Sequence, residues 1–293
     1  MKLVTFNTQD NPTPRPGVVL DEAIVDLQRS AADLPADMMG ILRAGDAALA
    51  ATRVAGEAGA DLVDLTQAQL FAPVMRPGKV LAIGLNYADH IGESGMEAPK
   101  HQVWFNKQRN CINAPYAPIN LPSVSTYLDY EAELCLVIGK RCKHVPRERA
   151  SEVIAGYCCG NDVSVRDWQM RVQTMQIGKS FDTHGPIGPY LVTPDEVGDP
   201  HTLGIRGWVN GELRQESNTE HLIYDCFDAI AHLTQAFTLD VGDVLFMGTP
   251  AGVGAAMKPP QFLVEGDVVK IEIDKLGFIE NTVVAEDAQC IVE

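Results

Sequence analysis

The sequence predicts an α+β fold, a curled mixed sheet with flanking helices preceded by a small accessory domain. Three observations lead there. From Val80 onward, short apolar runs alternate with Gly and Pro turns, the texture of a β-rich body. Four stretches (38–56, 146–155, 165–175 and 221–237) carry helical spacing or helix-start chemistry instead. The composition also shifts at Ala72-Pro73-Val74-Met75-Arg76-Pro77-Gly78-Lys79, where two prolines and a glycine punctuate the chain. That shift divides the chain into an accessory domain, 1–72, and a larger domain, 73–293.

Taken in order, the first region opens with a strand-like LVTF and a second candidate strand, GVVLDEAIVDL, followed by the Ala-rich helical stretch. It holds no Cys, His, Trp or Tyr up to residue 70, so reaction chemistry is expected elsewhere. Residues 80–84 read as a buried strand and 131–138 as another. Pro146 suits the first turn of a helix. Asn210-Gly211 between apolar runs is a hairpin signal, and 221–237 repeats Leu222, Cys226, Ala229, Ile230, Leu233 and Phe237 at helical spacing. The phrases VGDVL and EGDVVKI each read as a turn followed by a strand. No repeat with a period of roughly 20–50 residues is present.

Composition narrows the function classes. The 293 residues carry 23 Lys+Arg against 39 Asp+Glu, a formal net charge of −16. Such a surface repels phosphate backbones and anionic lipid, so neither a nucleic-acid nor a membrane partner is expected. A small anionic substrate would need a local reversal of field, from a metal ion or an inward Lys or Arg. The seven cysteines form no CxxC pair and no even framework, and the first residues lack a signal-peptide apolar run. These readings predict a soluble cytoplasmic protein with reduced thiols.

Four segments can carry chemistry. In Tyr130-Glu131-Ala132-Glu133-Leu134, a strand would put Glu131 and Glu133 on one face. Two adjacent carboxylates suit a hard divalent cation, Mg²⁺, Mn²⁺ or Ca²⁺, although a solvated edge strand explains them too. Asp162 ends a Gly-flanked apolar strand, where it could join them or cap the helix that follows. Lys179, in the Gly- and Pro-dense 177–189 loop, is either a solvated side chain or an inward cation. The GKS there is no phosphate loop, because Gln173 stands where its earlier glycine belongs. His90 and Glu93 are three apart, in helical reach of each other as a base and its orienting carboxylate, or as a surface His near an acid. The GTPAGVG loop offers Thr249 and backbone N–H groups to a ligand, or is simply a tight turn. The histidines show no HExxH spacing, which disfavours a zinc site.

In this order, GLNYADH with Glu93, YEAEL, GNDVSVRDWQ, GKSFDTHGPIGP and GTPAGVG resemble the fumarylacetoacetate hydrolase superfamily over residues 73–290. The resemblance implies a mixed β-roll, a homodimer, and one Mg²⁺ or similar ion per site. It implies Glu131, Glu133 and Asp162 as metal ligands, and His90, Glu93 and Lys179 as catalytic residues. Tyr87, Arg166, Gln169, Thr183 and Thr249 become substrate contacts.

A 2-oxo acid can chelate such an ion, which stabilises an enolate as a Lewis acid. The leading expectation is metal-dependent hydrolysis of a C–C bond in a β-diketo, acylpyruvate-type acid through a metal-bound enolate, with His90 and Glu93 activating water. The alternative in the same cage is decarboxylation, isomerisation or hydration of a 2-oxo diacid. A binding protein without turnover is disfavoured, because every proposed ligand and the dyad occur together.

Overall fold

The computed structural model describes residues 1–89, 92 and 99–292; His90 and Glu93 lie outside them. The N-terminal segment contributes β1 (Lys2–Thr8), β2 (Asn11–Leu20), β3 (Ala23–Asp26), β4 (Leu62–Asp64) and β5 (Ala68–Phe71). The remainder contributes β6 (Val80–Gly84), β7 (Val103–Lys107), β8 (Ile112–Asn113), β9 (Ile119–Leu121), β10 (Leu128–Asp129) and β11 (Ala132–Ile138). It continues through β12 (Ile154–Asn161), β13 (Ser164–Val165) and β14 (Gly185–Val192). The last five are β15 (Gly204–Val209), β16 (Glu212–Asn218), β17 (Val244–Phe246), β18 (Val268–Ile273) and β19 (Gly277–Ala285).

The large sheet runs β4-β3-β2-β1-β14-β12-β11-β17-β6-β7, with β5 on β1 and β8 on β14. It is mixed: β17 pairs β6 in parallel, while β11 pairs both β12 and β17 antiparallel. A second sheet runs β16-β15-β18-β19-β9, and β10 pairs β13. The N-terminal strands join the main sheet where Leu3 of β1 meets Leu191 of β14. Every residue of β11 is buried, as expected of a central strand covered on both faces.

The Asn210-Gly211 turn closes the β15–β16 hairpin as read from sequence, Val209 facing Glu212. One of the four helical stretches is broken and three are shorter than their spacing suggested, for separate reasons. The 38–56 stretch breaks at Gly45, whose φ of 73° no helix admits, into helices Met38–Ala44 and Asp46–Ala58. Residues 147–153 form a 3₁₀ turn, because Ile154 is taken into β12 opposite Ile138. Only Arg166–Gln169 is helical in 165–175; Met170 and Val172 are exposed, so no apolar face sustains further turns. The helix Cys226–Ala236 starts at the Asp225–Asp228 capping box rather than at residue 221. Among the described residues no helix is long and apolar enough to cross a membrane.

Candidate active site

The site grows out of the β11–β12 ladder. Glu133 in β11 faces Gly160 in β12, and Ala132 faces Asn161. The pairing continues one step past both strands: Asp162 N–H donates to the Glu131 carbonyl at 3.0 Å, and Glu131 N–H to Asn161 Oδ1 at 3.0 Å. Alternation then puts Glu131 and Glu133 on one face, with Asp162 across from them. One oxygen from each of the three lies within 4.8 Å of the others, and all three side chains are buried. Neither competing explanation holds. β11 is central rather than an edge, and the helix Arg166–Gln169 has no side-chain cap, so Asp162 does not serve it.

Three cations meet this cluster. Lys179 Nζ donates to Glu131 Oε2 at 2.8 Å and to Asp162 Oδ2 at 2.9 Å, at 2% side-chain exposure. Lys107, at the end of β7, donates to Asp162 Oδ1 and to the carbonyls of Lys179 and His184. Arg166 bonds Asp129 Oδ2 through Nε at 2.8 Å, and Glu131 Oε1 and Gln169 Oε1 through Nη1. Burial pulls the pKa of Lys107 and Arg166 down, but the carboxylates beside them more than reverse it, so both stay charged.

Glu133 is the exception. Among the described residues it accepts one hydrogen bond, from Gly248 N–H at 2.7 Å. Burial, then the charges of Asp162 and Glu131, push its pKa well above the carboxylate range despite Lys179 and that bond. Gly248 holds φ at 93°, and a Cβ there would sit 2.7 Å from Cβ of Asn86, so a glycine is required where the chain aims its N–H at Glu133. Gly178 is equally constrained: a Cβ would fall 2.2 Å from Gln169 N, where the Lys179 loop crosses the Arg166–Gln169 helix.

The donor set fits a hard divalent cation. It is all carboxylate oxygen, it is buried, and the four carboxylates of Asp129, Glu131, Glu133 and Asp162 outnumber the three cations, so the fully ionised cluster has one negative charge to offer an ion. Asp129 is no ligand, because Tyr130, Gly254 and Ala255 N–H groups and Arg166 Nε already occupy its oxygens.

Around the cluster stand buried polar atoms without a hydrogen-bond partner among the described residues: Tyr87 Oη, Asn161 Nδ2, Arg166 Nη2 and Trp168 Nε1. Buried donors of this kind call for an acceptor that the described residues do not supply. Thr249 Oγ1 is buried and accepts from Gln215 Nε2 at 2.8 Å. Gln169 is fixed by Arg166, and Thr183 Oγ1 accepts from Asn120 N–H at 2.9 Å. The structure therefore brings Glu131, Glu133, Asp162, Lys179 and Arg166 into one contact network, ties Gln169 to its edge, and uses the Thr183 hydroxyl as an acceptor for Asn120 N–H.

Sequence reasoning missed Lys107, Asp129, Asn161 and Gln215. Asp129 was legible: Asp129, Glu131 and Glu133 alternate. Lys107 shares the inward face of its strand with Phe105, while Asn106 is exposed. Gln215, whose Oε1 accepts from Ala132 N–H at 2.9 Å, comes from a hairpin far along the chain and carries no such signal.

The fumarylacetoacetate (FAA) hydrolase C-terminal family model matches residues 79–284. The mitochondrial oxaloacetate tautomerase fahd2 of Xenopus laevis is 43% identical over 288 residues, covering 97% of this chain and 90% of that protein. The human mitochondrial oxaloacetate tautomerase FAHD2A is 41% identical over 288 residues, covering 97% and 92%. The crystal structure of maleylpyruvate hydrolase from Sphingobium sp. SYK-6, in complex with manganese(II) and pyruvate, superposes with a TM-score of 0.81 at 33% identity, covering 98% of this chain and all of that one.

Proposed function

Because the chain belongs to the fumarylacetoacetate hydrolase family, we propose that it is a divalent-cation-dependent enzyme that interconverts the keto and enol forms of an oxaloacetate-type 2-oxo diacid. The observation that carries this reading is the buried cage itself: three converging carboxylates with the Lys179 ammonium between two of them. Relatives named as oxaloacetate tautomerases, similar over nearly the full chain, support the substrate class.

Glu131, Glu133 and Asp162 would hold the cation, Mg²⁺ or Mn²⁺. When bound, it supplies Lewis-acid polarisation of a 2-oxo acid's carboxylate and keto oxygens. The chain's own groups do the rest. Lys179 Nζ has three N–H donors and commits two among the described residues, which leaves the third for the oxygen on which charge develops. Arg166 Nη2, buried and without a partner among the described residues, offers a charged donor to a substrate carboxylate, with Tyr87 Oη and Asn161 Nδ2 as neutral ones. Thr249, held by Gln215, is proposed on the substrate carboxylate, and Gln169 and Thr183 beside it. His90, oriented by Glu93, is proposed from sequence as the base that takes the proton from C3.

Hydrolysis of an acylpyruvate-type β-diketo acid is the second reading, favoured by the likeness to maleylpyruvate hydrolase. It asks the His90–Glu93 pair to deprotonate water instead. One experiment separates the two: chelator-stripped protein is given Mg²⁺ or Mn²⁺ and offered enol-oxaloacetate and a panel of acylpyruvates. Faster loss of the enol's ultraviolet band, with no pyruvate released from acylpyruvates, supports tautomerisation. Pyruvate release supports hydrolysis, and silence with both discards the cage as a catalyst. For the cell, we propose a reducing compartment, cytoplasmic on the sequence reading. Seven free cysteines, six of them buried, support reducing conditions, while the frog and human relatives are mitochondrial by name.

A further inference from the structure

Two buried lysines touch Asp162, and their hydrogen bonds divide them. Lys179 keeps one N–H uncommitted among the described residues. Lys107 keeps none: its three N–H groups go to Asp162 Oδ1, the Lys179 carbonyl and the His184 carbonyl. Its side chain is fully buried. A saturated ammonium cannot reach substrate, so any part it plays is exerted through what it holds.

What it holds is specific. The strand end and the turn after it grip the loop that carries Lys179. Gln108 N–H donates to Ser180 Oγ at 3.0 Å, and Asn110 Nδ2 donates to the Ser180 carbonyl at 3.2 Å and to Asp182 Oδ1. Only Lys107 in this bracket also reaches the carboxylate cluster. It is anchored in turn by the β6–β7 ladder, where Lys107 faces Val80.

We propose that Lys107 is a positioning residue for the cation cage: its ammonium fixes one oxygen of Asp162 and the main chain of Lys179, so that the other Asp162 oxygen and Lys179 Nζ converge on the same point. The inference rests on the reading of the three carboxylates as a cation site. It goes further by assigning the preorganisation of that site to a residue on a different strand, with no contact to the reacting atoms. A second oxygen of Asp162 held by a fixed donor cannot rotate away when an ion is absent, so the apo site stays shaped for loading.

The test titrates chelator-stripped full-length protein with Mn²⁺, following the electron paramagnetic resonance signal of the free ion. Wild type that binds no Mn²⁺ overturns the cage reading, whatever Lys107 does. If wild type binds, Lys107→Met is expected to weaken Mn²⁺ by about 10–100-fold, the usual cost of losing a group that orients a ligand. Equal binding overturns the proposal, and so does tighter binding, which would mean the ammonium only repels the ion. If Lys107→Met melts below the assay temperature, Lys107→Gln, whose amide can still satisfy buried carbonyls, is read in its place. Lys107→Ala should regain affinity with methylammonium and not with tetramethylammonium, which has no N–H. Recovery with both, or with neither, overturns the role assigned to the donors. Asn110→Ala loosens the same loop without touching Asp162, and should leave the affinity within about twofold, as exposed substitutions do. A loss equal to that of Lys107→Met would move the effect to the loop and overturn the proposal.

Discussion

Two of the regions that bury charge in this molecule do it differently. Between β2 and β3, Arg15 Nε meets Asp26 Oδ2 at 2.8 Å with both side chains all but inaccessible. The pair is closed: Arg15 Nη1 donates to the Asn11 carbonyl and its guanidinium lies 4.3 Å over the Phe6 ring, while Asp26 Oδ1 accepts from Gln28 N–H. At the β11–β12 end, four carboxylates meet three cations, Glu133 has one partner among the described residues, and donors of Tyr87, Asn161, Arg166 and Trp168 have none. A closed pair fixes geometry and can bind nothing more. An open cluster is a local loss of stability, retained where an ion and a substrate can complete it.

The largest expected effect breaks the open region. Glu133→Gln keeps the shape and removes the anion, and should weaken Mn²⁺ binding and turnover by on the order of 10³-fold or more, beyond the 10–100-fold of an orienting group. The ion-free protein should move the other way. Burial and the neighbouring carboxylates raise the Glu133 pKa, so in the folded state the ionised form is disfavoured at neutral pH. A neutral amide relieves that, and the apo melting temperature is expected to rise. A fall in apo melting temperature would show that Glu133 is a structural member of its network, erasing the contrast with Arg15.

The closed region should respond in the opposite sense. Arg15→Met leaves Asp26 buried and unpaired, and is expected to cost about 3–5 kcal/mol in denaturant unfolding, with turnover per folded molecule unchanged. Adding Asp26→Asn removes the stranded charge and keeps an acceptor for Gln28 N–H, so the double variant should recover most of the loss. If instead the double variant stays as unstable as the single one, packing of the Arg15 stem on Phe6, rather than charge pairing, holds this region together.

The contrast was only half legible in the sequence. Period-two spacing is local, so Glu131 and Glu133 declared themselves, and Asp129 continued the same alternation. Asp162 was readable because a Gly-flanked strand ended on it. The partners that decide what those acids do come from far away: Lys107 is 55 residues before Asp162, and Gln215 lies 34 residues from Thr249. No local period encodes such contacts. The same limit shortened the helix expected over 165–175, whose Met170 and Val172 find nothing to pack against. Arg15–Asp26 passed unremarked because two charges eleven apart on neighbouring strands look like an ordinary polar surface.

At neutral pH the smallest effect is expected at His184, and following it toward acid sharpens the comparison. His184, buried on the loop behind Lys179, keeps Nε2 at 2.8 Å from the Asn120 carbonyl, while its Nδ1 has no partner among the described residues. Burial pushes its pKa down from 6.5 to about 3; the Asn120 bond opposes this and Lys107 assists it. The folded imidazole therefore stays neutral where the unfolded one takes up a proton. The stability this lends is full above pH 6.5 and is lost as pH falls from 6.5 toward 3, at up to about 1.4 kcal/mol per pH unit. His184→Gln should flatten the fall in unfolding free energy by close to one proton in that window, while adding little change above pH 7. The region up to residue 70 has no histidine to contribute such a slope. An unchanged slope in the variant would place the acid sensitivity in the carboxylates of the open cluster instead, and would make the region around Lys107 as closed as the one around Arg15.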